Sequence, residues 1–215
     1  KIKKLFFENN ENSIYKHVKN INPDFIICSG FTKLIPLKIL KLANYCSINL
    51  HGGRVPSYLG ASTLNWQIIN GEKQIYISAL KMNEKYDDGP LISQKKININ
   101  NNDNIDKIKV KVNKYFPELF FKALKHILLK KKLIYFKKYK KKYWKQRNKK
   151  NSEIIVKKYK SKEVHNMIRA CSVQDYPAFI NYQNSKIYLY KSTLTKKSFK
   201  KIDEKDCIIF KKKNY

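Results

Sequence analysis

Three short apolar runs constrain this chain most: Phe25–Cys28, Ser47–Leu50 and Ile75–Leu80. Turn residues bound them, with Pro23-Asp24 before the first, Ser29-Gly30 after it and His51-Gly52-Gly53 after the second. Runs this short and continuous suit strands buried on both faces of a sheet. The stretches between them have helical spacing. Asn12-Ser13 reads as the cap of a helix ending near Asn20, and Leu34–Leu42 as a second helix with Pro36 in its first turn. Ser62 reads as the cap of a third, which carries Leu64, Ile68 and Ile69 and stops at Asn70-Gly71. Strand–helix–strand repetition predicts an α/β fold, a parallel sheet with helices on both faces.

Past Asp103, Ile105, Ile108, Val112, Leu119, Ala123 and Ile127 keep a 3.6-residue period and predict one long helix. Residues 133–152 are rich in Lys and Tyr and read as a linker. The character changes again near Glu153. A helix is expected over Ser161–Cys171, then strands over Ala178–Tyr182 and Lys186–Lys191 around a turn at Gln183-Asn184-Ser185, and another strand over Asp206–Phe210. The expected organisation is a main domain at 1–132, a linker at 133–152 and a small β-rich subdomain at 153–215 that the end of the chain leaves short.

With 215 residues and 42% hydrophobic content, including 15 Tyr and 11 Phe, the chain can bury a core, which excludes disorder throughout. No run approaches the roughly 18 apolar residues of a membrane span, and Lys1-Ile2-Lys3-Lys4 opens no signal peptide, so no membrane partner is expected. Cys28, Cys46, Cys171 and Cys207 form no CxxC pair and read as reduced thiols in a cytoplasmic protein. The net charge of +31 favours anionic partners. Yet only Arg54, Arg147 and Arg169 are arginines among 47 basic residues, whereas phosphate and base readers lean on the planar guanidinium fork. With 22 Asn alongside, AT-rich coding explains the lysine excess without a selected nucleic-acid role.

The chemistry concentrates after the second strand, in Asn49, His51, Gly52-Gly53, Pro56, Tyr58 and Gly60. Asn49 and His51 are two apart and share one side of the strand. They stand at its C-terminal end, where open α/β sheets place ligands. The third strand leads into Asn83-Glu84-Lys85-Tyr86-Asp87-Asp88-Gly89-Pro90, so Asp87 or Asp88 can approach His51. A His suits proton transfer near neutral pH, a carboxylate supports its charged form, and an amide N–H suits an oxygen gaining negative charge. No Ser or Cys nucleophile stands beside them, which points to direct acyl transfer to an amine. A metal reading of His51 and Asp87 needs more ligands than the sequence supplies. Singly, each residue has a plainer reading: His51 as a polar loop residue, Asn49 as a backbone tie, Asp87-Asp88-Gly89 as a turn.

Taken together, Asn49 and His51, the loop with Pro56, Tyr58 and Gly60, and Asp87 with Gly89 resemble the folate-dependent formyltransferases. These include methionyl-tRNA formyltransferase and the sugar N-formyltransferases. The resemblance implies catalytic roles for Asn49, His51 and Asp87, with Asp88 in a variable position. It implies that Lys33, Leu34 and Ile35 line a folate pocket closed by Glu84 and Tyr86, and that Gly52, Pro56 and Tyr58 face the acceptor. Tyr143 with Arg147, Val164–Ala170 and Asp175–Phe179 resemble the C-terminal part of the longer members. With Leu64-Asn65-Trp66, they are most similar to the sugar branch, such as the enzyme acting on UDP-4-amino-4-deoxy-L-arabinose. Formyl transfer from 10-formyltetrahydrofolate to a nucleotide-linked amino sugar is therefore expected, with no metal and with room for a homodimer. Methionyl-tRNA is the alternative acceptor, and a non-catalytic basic module or degenerate relic the alternative of another class. The family begins with a βα unit that this chain is expected to lack.

Overall fold

The computed structural model describes residues 11–136, 138–155, 158–171 and 176–194. Lys1–Lys4, Asp175, Cys207 and the expected Asp206–Phe210 strand lie outside them. Helix α1 (Glu11–Ile21) forms where Ile14, Tyr15 and Val18 share one face. That face packs on Cys28, Ile35, Ile39 and Leu40. These belong to β1 (Phe25–Ser29), the loop after it and α2 (Leu37–Leu40). The single turn of α2 is shorter than the helix expected over Leu34–Leu42. Pro36 is its N-cap residue, at ψ 140, and a proline disfavours helical backbone in the residue before it.

Strand β2 (Cys46–His51) runs parallel to β1, with Phe25 opposite Cys46 and Ser29 opposite Leu50. After β2 come the short strand β3 (Leu59–Gly60), helix α3 (Thr63–Ile69) and β4 (Gln74–Lys81). With β5 (Leu91–Asn98), the main sheet has the order β1-β2-β4-β5. The α/β class and the parallel β1–β2 pair match the expectation. The orientation of β4 does not: it is antiparallel to β2, with His51 opposite Ser78 and Asn49 opposite Leu80. A parallel return would carry the chain back along β2, about 20 Å at ~3.3 Å per residue. The one helix of that connection, α3, rises only about 10 Å at ~1.5 Å per residue.

Ile48, Ile77, Ala79 and Leu80 of the sheet are almost wholly buried. Helix α4 (Ile105–Leu128) buries Ile105, Ile108, Val112, Leu119 and Ala123 along one face, as its spacing predicts. Strand β6 (Tyr143–Trp144) is two residues long. Ser62 precedes α3 in left-handed backbone at φ 51 and makes no side-chain cap. Its hydroxyl instead accepts the Arg147 backbone N–H at 3.1 Å.

The chain divides into two compact units. One comprises Lys1–Gly60, Tyr76–Lys95 and Lys114–Tyr143, the other Ala61–Ile75, Lys96–Asn113 and Trp144–Tyr215. This interleaved division differs from sequential boundaries at 132 and 152, for a reason internal to the second unit. Asn65 of α3 donates through Nδ2 to Ala170 O at 2.8 Å, at the end of α5 (Ser161–Ala170). Arg169 of α5 donates to Asn100 O at 3.3 Å and Asp103 O at 3.1 Å, and His165 Nε2 donates to Asn101 O at 2.9 Å. Buried polar groups need such partners, and these tie distant stretches together. Ile154, Val164, Met167, Ile168, Cys171, Ala178 and Ile180 form the unit's apolar cluster. Its antiparallel hairpin is β7 (Ala178–Tyr182) and β8 (Ser185–Leu189), turned by Gln183 and Asn184 at φ 43 and 63. Among the described residues no helix is long and apolar enough to cross a membrane.

Ile77 is 0% exposed at the centre of β4. Ile77→Ala is therefore expected to cost about 2–5 kcal/mol, lost transfer energy plus a cavity. Ile187→Ala, at a position 36% exposed, should stay within about 1 kcal/mol. Urea unfolding followed by circular dichroism measures both.

Candidate active site

Alternation along β2 buries Ile48 and Leu50 on one side and leaves Asn49 and His51 on the other. The chain then turns through Gly52-Gly53. An alanine Cβ at Gly53 would lie 2.2 Å from Tyr58 O and 2.4 Å from His51 Nε2. Only glycine lets the loop fold back so that the Tyr58 carbonyl meets the imidazole. His51 Nε2 lies 2.6 Å from that carbonyl. A carbonyl only accepts, so Nε2 carries a hydrogen and Nδ1 is the nitrogen left to exchange a proton. The strand register sets Ser78 opposite His51. The Ser78 hydroxyl donates to Gly53 O at 2.6 Å and accepts from Gln94 Nε2 at 2.9 Å, which fixes the glycine turn from β4.

Asp87 comes from the loop after β4. Its backbone is left-handed at φ 50, a conformation Asp tolerates better than most residues. Gly89 makes the bend possible, because a Cβ there would lie 1.7 Å from Lys81 O. The carboxylate reaches across to β2. Oδ1 accepts from Asn49 Nδ2 at 2.6 Å and lies 3.4 Å from His51 Nδ1, and Oδ2 accepts the Gly60 backbone N–H at 2.9 Å. The side chains of His51 and Asp87 are 6% and 8% exposed. Asn49 keeps a second amide hydrogen to offer. One carboxylate thus gathers an amide, an imidazole and a loop N–H.

Of the two aspartates that the spacing left open, the structure sets Asp87 beside His51. Asp88 turns to Lys141 Nζ and to Tyr143 Oη, the latter donating at 3.2 Å. Burial pushes the Asp88 carboxyl up, but Lys141, Tyr143 and Lys85 outweigh it and hold the group below the ordinary carboxylate range. Burial, the charge of Asp88, the bond to it and the charge of Asp87 push the Tyr143 phenol up to about 12.

The other sequence-derived positions divide. Lys33 and Glu84 are exposed, and Phe31, Leu34 and Tyr86 are 40%, 44% and 49% exposed. Tyr86 Oη lies 3.4 Å from Thr32 O, so the 31–35 and 84–86 loops meet. Ile35 is buried in the α1–α2 cluster and has only backbone to offer a ligand. Gly52 and Pro56 are half-buried, while the Tyr58 ring is buried. The Tyr58 carbonyl, the Gly60 N–H, Ser78 and Lys141 all belong to the site's framework, and no local sequence pattern marks them.

The sequence matches the model of the formyl transferase family over residues 4–124, more than half of its length. The chain belongs to that family. A methionyl-tRNA formyltransferase from Thermodesulfovibrio yellowstonii is 33% identical over 114 residues, 53% of this chain and 37% of that protein. A GDP-perosamine N-formyltransferase from Brucella melitensis is 37% identical over 94 residues, 44% of this chain and 36% of that protein. The match thus spans little more than a third of either relative. The crystal structure of a 4-N formyltransferase from Francisella tularensis superposes with a TM-score of 0.71 at 25% identity, covering 91% of this chain and 78% of that one.

Two outcomes follow from this geometry. In wild type, the His51 Nε2 proton is expected as a slowly exchanging imidazole resonance in 15N-edited NMR. Gly53→Ala, which drives a Cβ into that ring, should shift or abolish it. For Tyr143, a folded pKa raised from 10 to about 12 means that its contribution to stability is complete below pH 10 and fades as pH rises through 12. The stability difference between wild type and Tyr143→Phe, from urea titrations at a series of pH values, should therefore shrink between pH 10 and 12.

Proposed function

We propose that this protein transfers a formyl group from 10-formyltetrahydrofolate to the primary amine of a nucleotide-linked amino sugar. The observation that carries the reading is the convergence of Asn49 and His51, at the end of β2, with Asp87 from the loop after β4. When bound, 10-formyltetrahydrofolate supplies the formyl group. The chain's side of a folate site fits such a molecule: exposed Phe31, Leu34 and Tyr86 offer apolar cover to a flat ring system, and the backbone of 33–35 and the Glu84–Tyr86 loop offer polar edges. Gly52 and Pro56, both half-buried, border the acceptor, while Tyr58, its ring buried, acts through the carbonyl that holds His51.

Asn49 directs its second amide hydrogen at the oxygen that gains negative charge. His51 holds and passes a proton at Nδ1, because Tyr58 O occupies Nε2. Asp87, 3.4 Å away, supports the charged imidazole and fixes the Asn49 amide. Both loops are already folded around these groups, which lowers the cost of bringing donor and amine together. Among the described residues, Cys28, Cys46 and Cys171 are free and buried, which fits the reducing cytoplasm.

The acceptor is drawn from the sugar-branch resemblance of Leu64-Asn65-Trp66 and Val164–Ala170, together with the Brucella relative. The net charge of +31 favours a second reading, methionyl-tRNA as acceptor. A panel assay of formylation over nucleotide-linked amino sugars and charged initiator tRNA separates the two. Turnover is expected on an amino-sugar nucleotide. Turnover on tRNA alone, with affinity falling steeply as salt rises, overturns the sugar reading. His51→Ala and Asp87→Asn should lower kcat about 100-fold or more, the usual scale of a lost proton-transfer group. Near wild-type turnover in either variant overturns the catalytic role of that residue, whereas no turnover in wild type on any acceptor favours the non-catalytic basic module.

A further inference from the structure

We propose that Lys141, Lys142 and Tyr143 form a strap that positions the catalytic loops, with Asp88 as its anchor. The inference rests on the formyltransferase reading and gives a role to part of the Lys- and Tyr-rich segment. The strap is built from both kinds of contact. Through its backbone, Lys142 N–H donates to Pro56 O at 3.0 Å, and Lys142 O accepts from Leu59 N–H at 3.0 Å. These bonds bracket Tyr58, whose carbonyl holds His51, and precede Gly60, whose N–H holds Asp87. Through their side chains, Lys141 and Tyr143 both hold the Asp88 carboxylate. Asp88 is the next residue after Asp87. One short segment therefore ties the loop that holds His51 to the loop that carries Asp87.

The arrangement suits the demand of the site. Asp87 sits in left-handed backbone, which must be held from outside because the residue does not prefer it. Lys141 and Tyr143 lie on alternate positions of an extended stretch, so both side chains face Asp88 while the peptide of Lys142 faces the Pro56–Leu59 loop. Asp88, 17% exposed, meets one cation and one phenol, so its charge stays compensated. Displacement of Asp87 by a fraction of its bond length to Asn49 would alter catalysis without touching substrate.

Hydrogen exchange at the Gly60 amide reads the strap directly, whatever the acceptor. In Asp88→Ala and in Lys141→Met, this amide is expected to exchange at least tenfold faster than in wild type, while the amides of Ile48 and Ile77 keep their protection. Asp88→Asn, which keeps an acceptor for Tyr143, should be intermediate. In steady-state formylation the same variants should lower kcat tenfold or more with KM for the acceptor within twofold. The double exchange Asp88→Lys with Lys141→Asp should recover part of the loss. Unchanged Gly60 protection in both single variants overturns the strap. So does a loss confined to KM. A wild-type protein that transfers no formyl group overturns the functional reading instead, and the exchange measurement still decides the strap.

Discussion

The carboxylate of Asp87 organises this molecule's site. It accepts from the Asn49 amide and the Gly60 N–H and faces the His51 imidazole. Charge-assisted hydrogen bonds of this kind are stronger than neutral ones and demand short, directed contacts. Much of the surrounding fold can be understood as what is needed to bring that group there. The parallel β1–β2 pair ends with His51 pointing out of the strand. The antiparallel β4 returns beside it with Ser78 in register. The bend at Gly89 then turns the chain where a Cβ could not pass the Lys81 carbonyl. Two of the site's glycines, Gly53 and Gly89, are demanded by the backbone itself. Each permits one stretch of backbone to approach another.

The strand positions were legible in the sequence because buried strands leave continuous apolar runs, and β1, β2 and β4 fall on Phe25–Cys28, Ser47–Leu50 and Ile75–Leu80. The direction of β4 was not. Hydrophobic runs carry no sign of orientation, and the expectation of a parallel strand assumed a crossover that α3 is too short to make. The α2 turn was overestimated for the same reason: helical spacing at Leu34–Leu42 ignores what Pro36 does to the residue before it. Ser62 stands at a helix start, yet its hydroxyl serves the Arg147 backbone. A cap preference is a local rule, and here a partner 85 positions away takes the side chain.

At the site, the spacing of Asn49 and His51 was readable because a strand's period of two puts them on one side. The choice of Asp87 over Asp88 was not readable from spacing alone, since both lie in the same turn. It depends on left-handed backbone at Asp87 and on Lys141, which approaches from 53 positions away. The Tyr58 carbonyl shows the limit more sharply. Backbone groups have no signature in the sequence, and this one decides which nitrogen of His51 can exchange a proton.

The charge of the chain sharpens the distinction between the two aspartates. With 47 basic residues against 16 acidic ones, several carboxylates of this protein meet a lysine. Asp103 pairs with Lys111, Glu118 with Lys95, Glu11 with Lys38 and Asp88 with Lys141. The more exposed of these pairs contribute little to stability. Asp87 differs in kind: among the described residues its direct partners are an amide, a backbone N–H and an imidazole, with no lysine among them. A lysine at that position would compete with His51 for the carboxylate and compensate its charge before the imidazole could. Asp88 takes the nearby ammonium of Lys141 instead. The doublet divides the contacts, one carboxylate meeting the lysine charge beside the loop and the other facing the imidazole of His51.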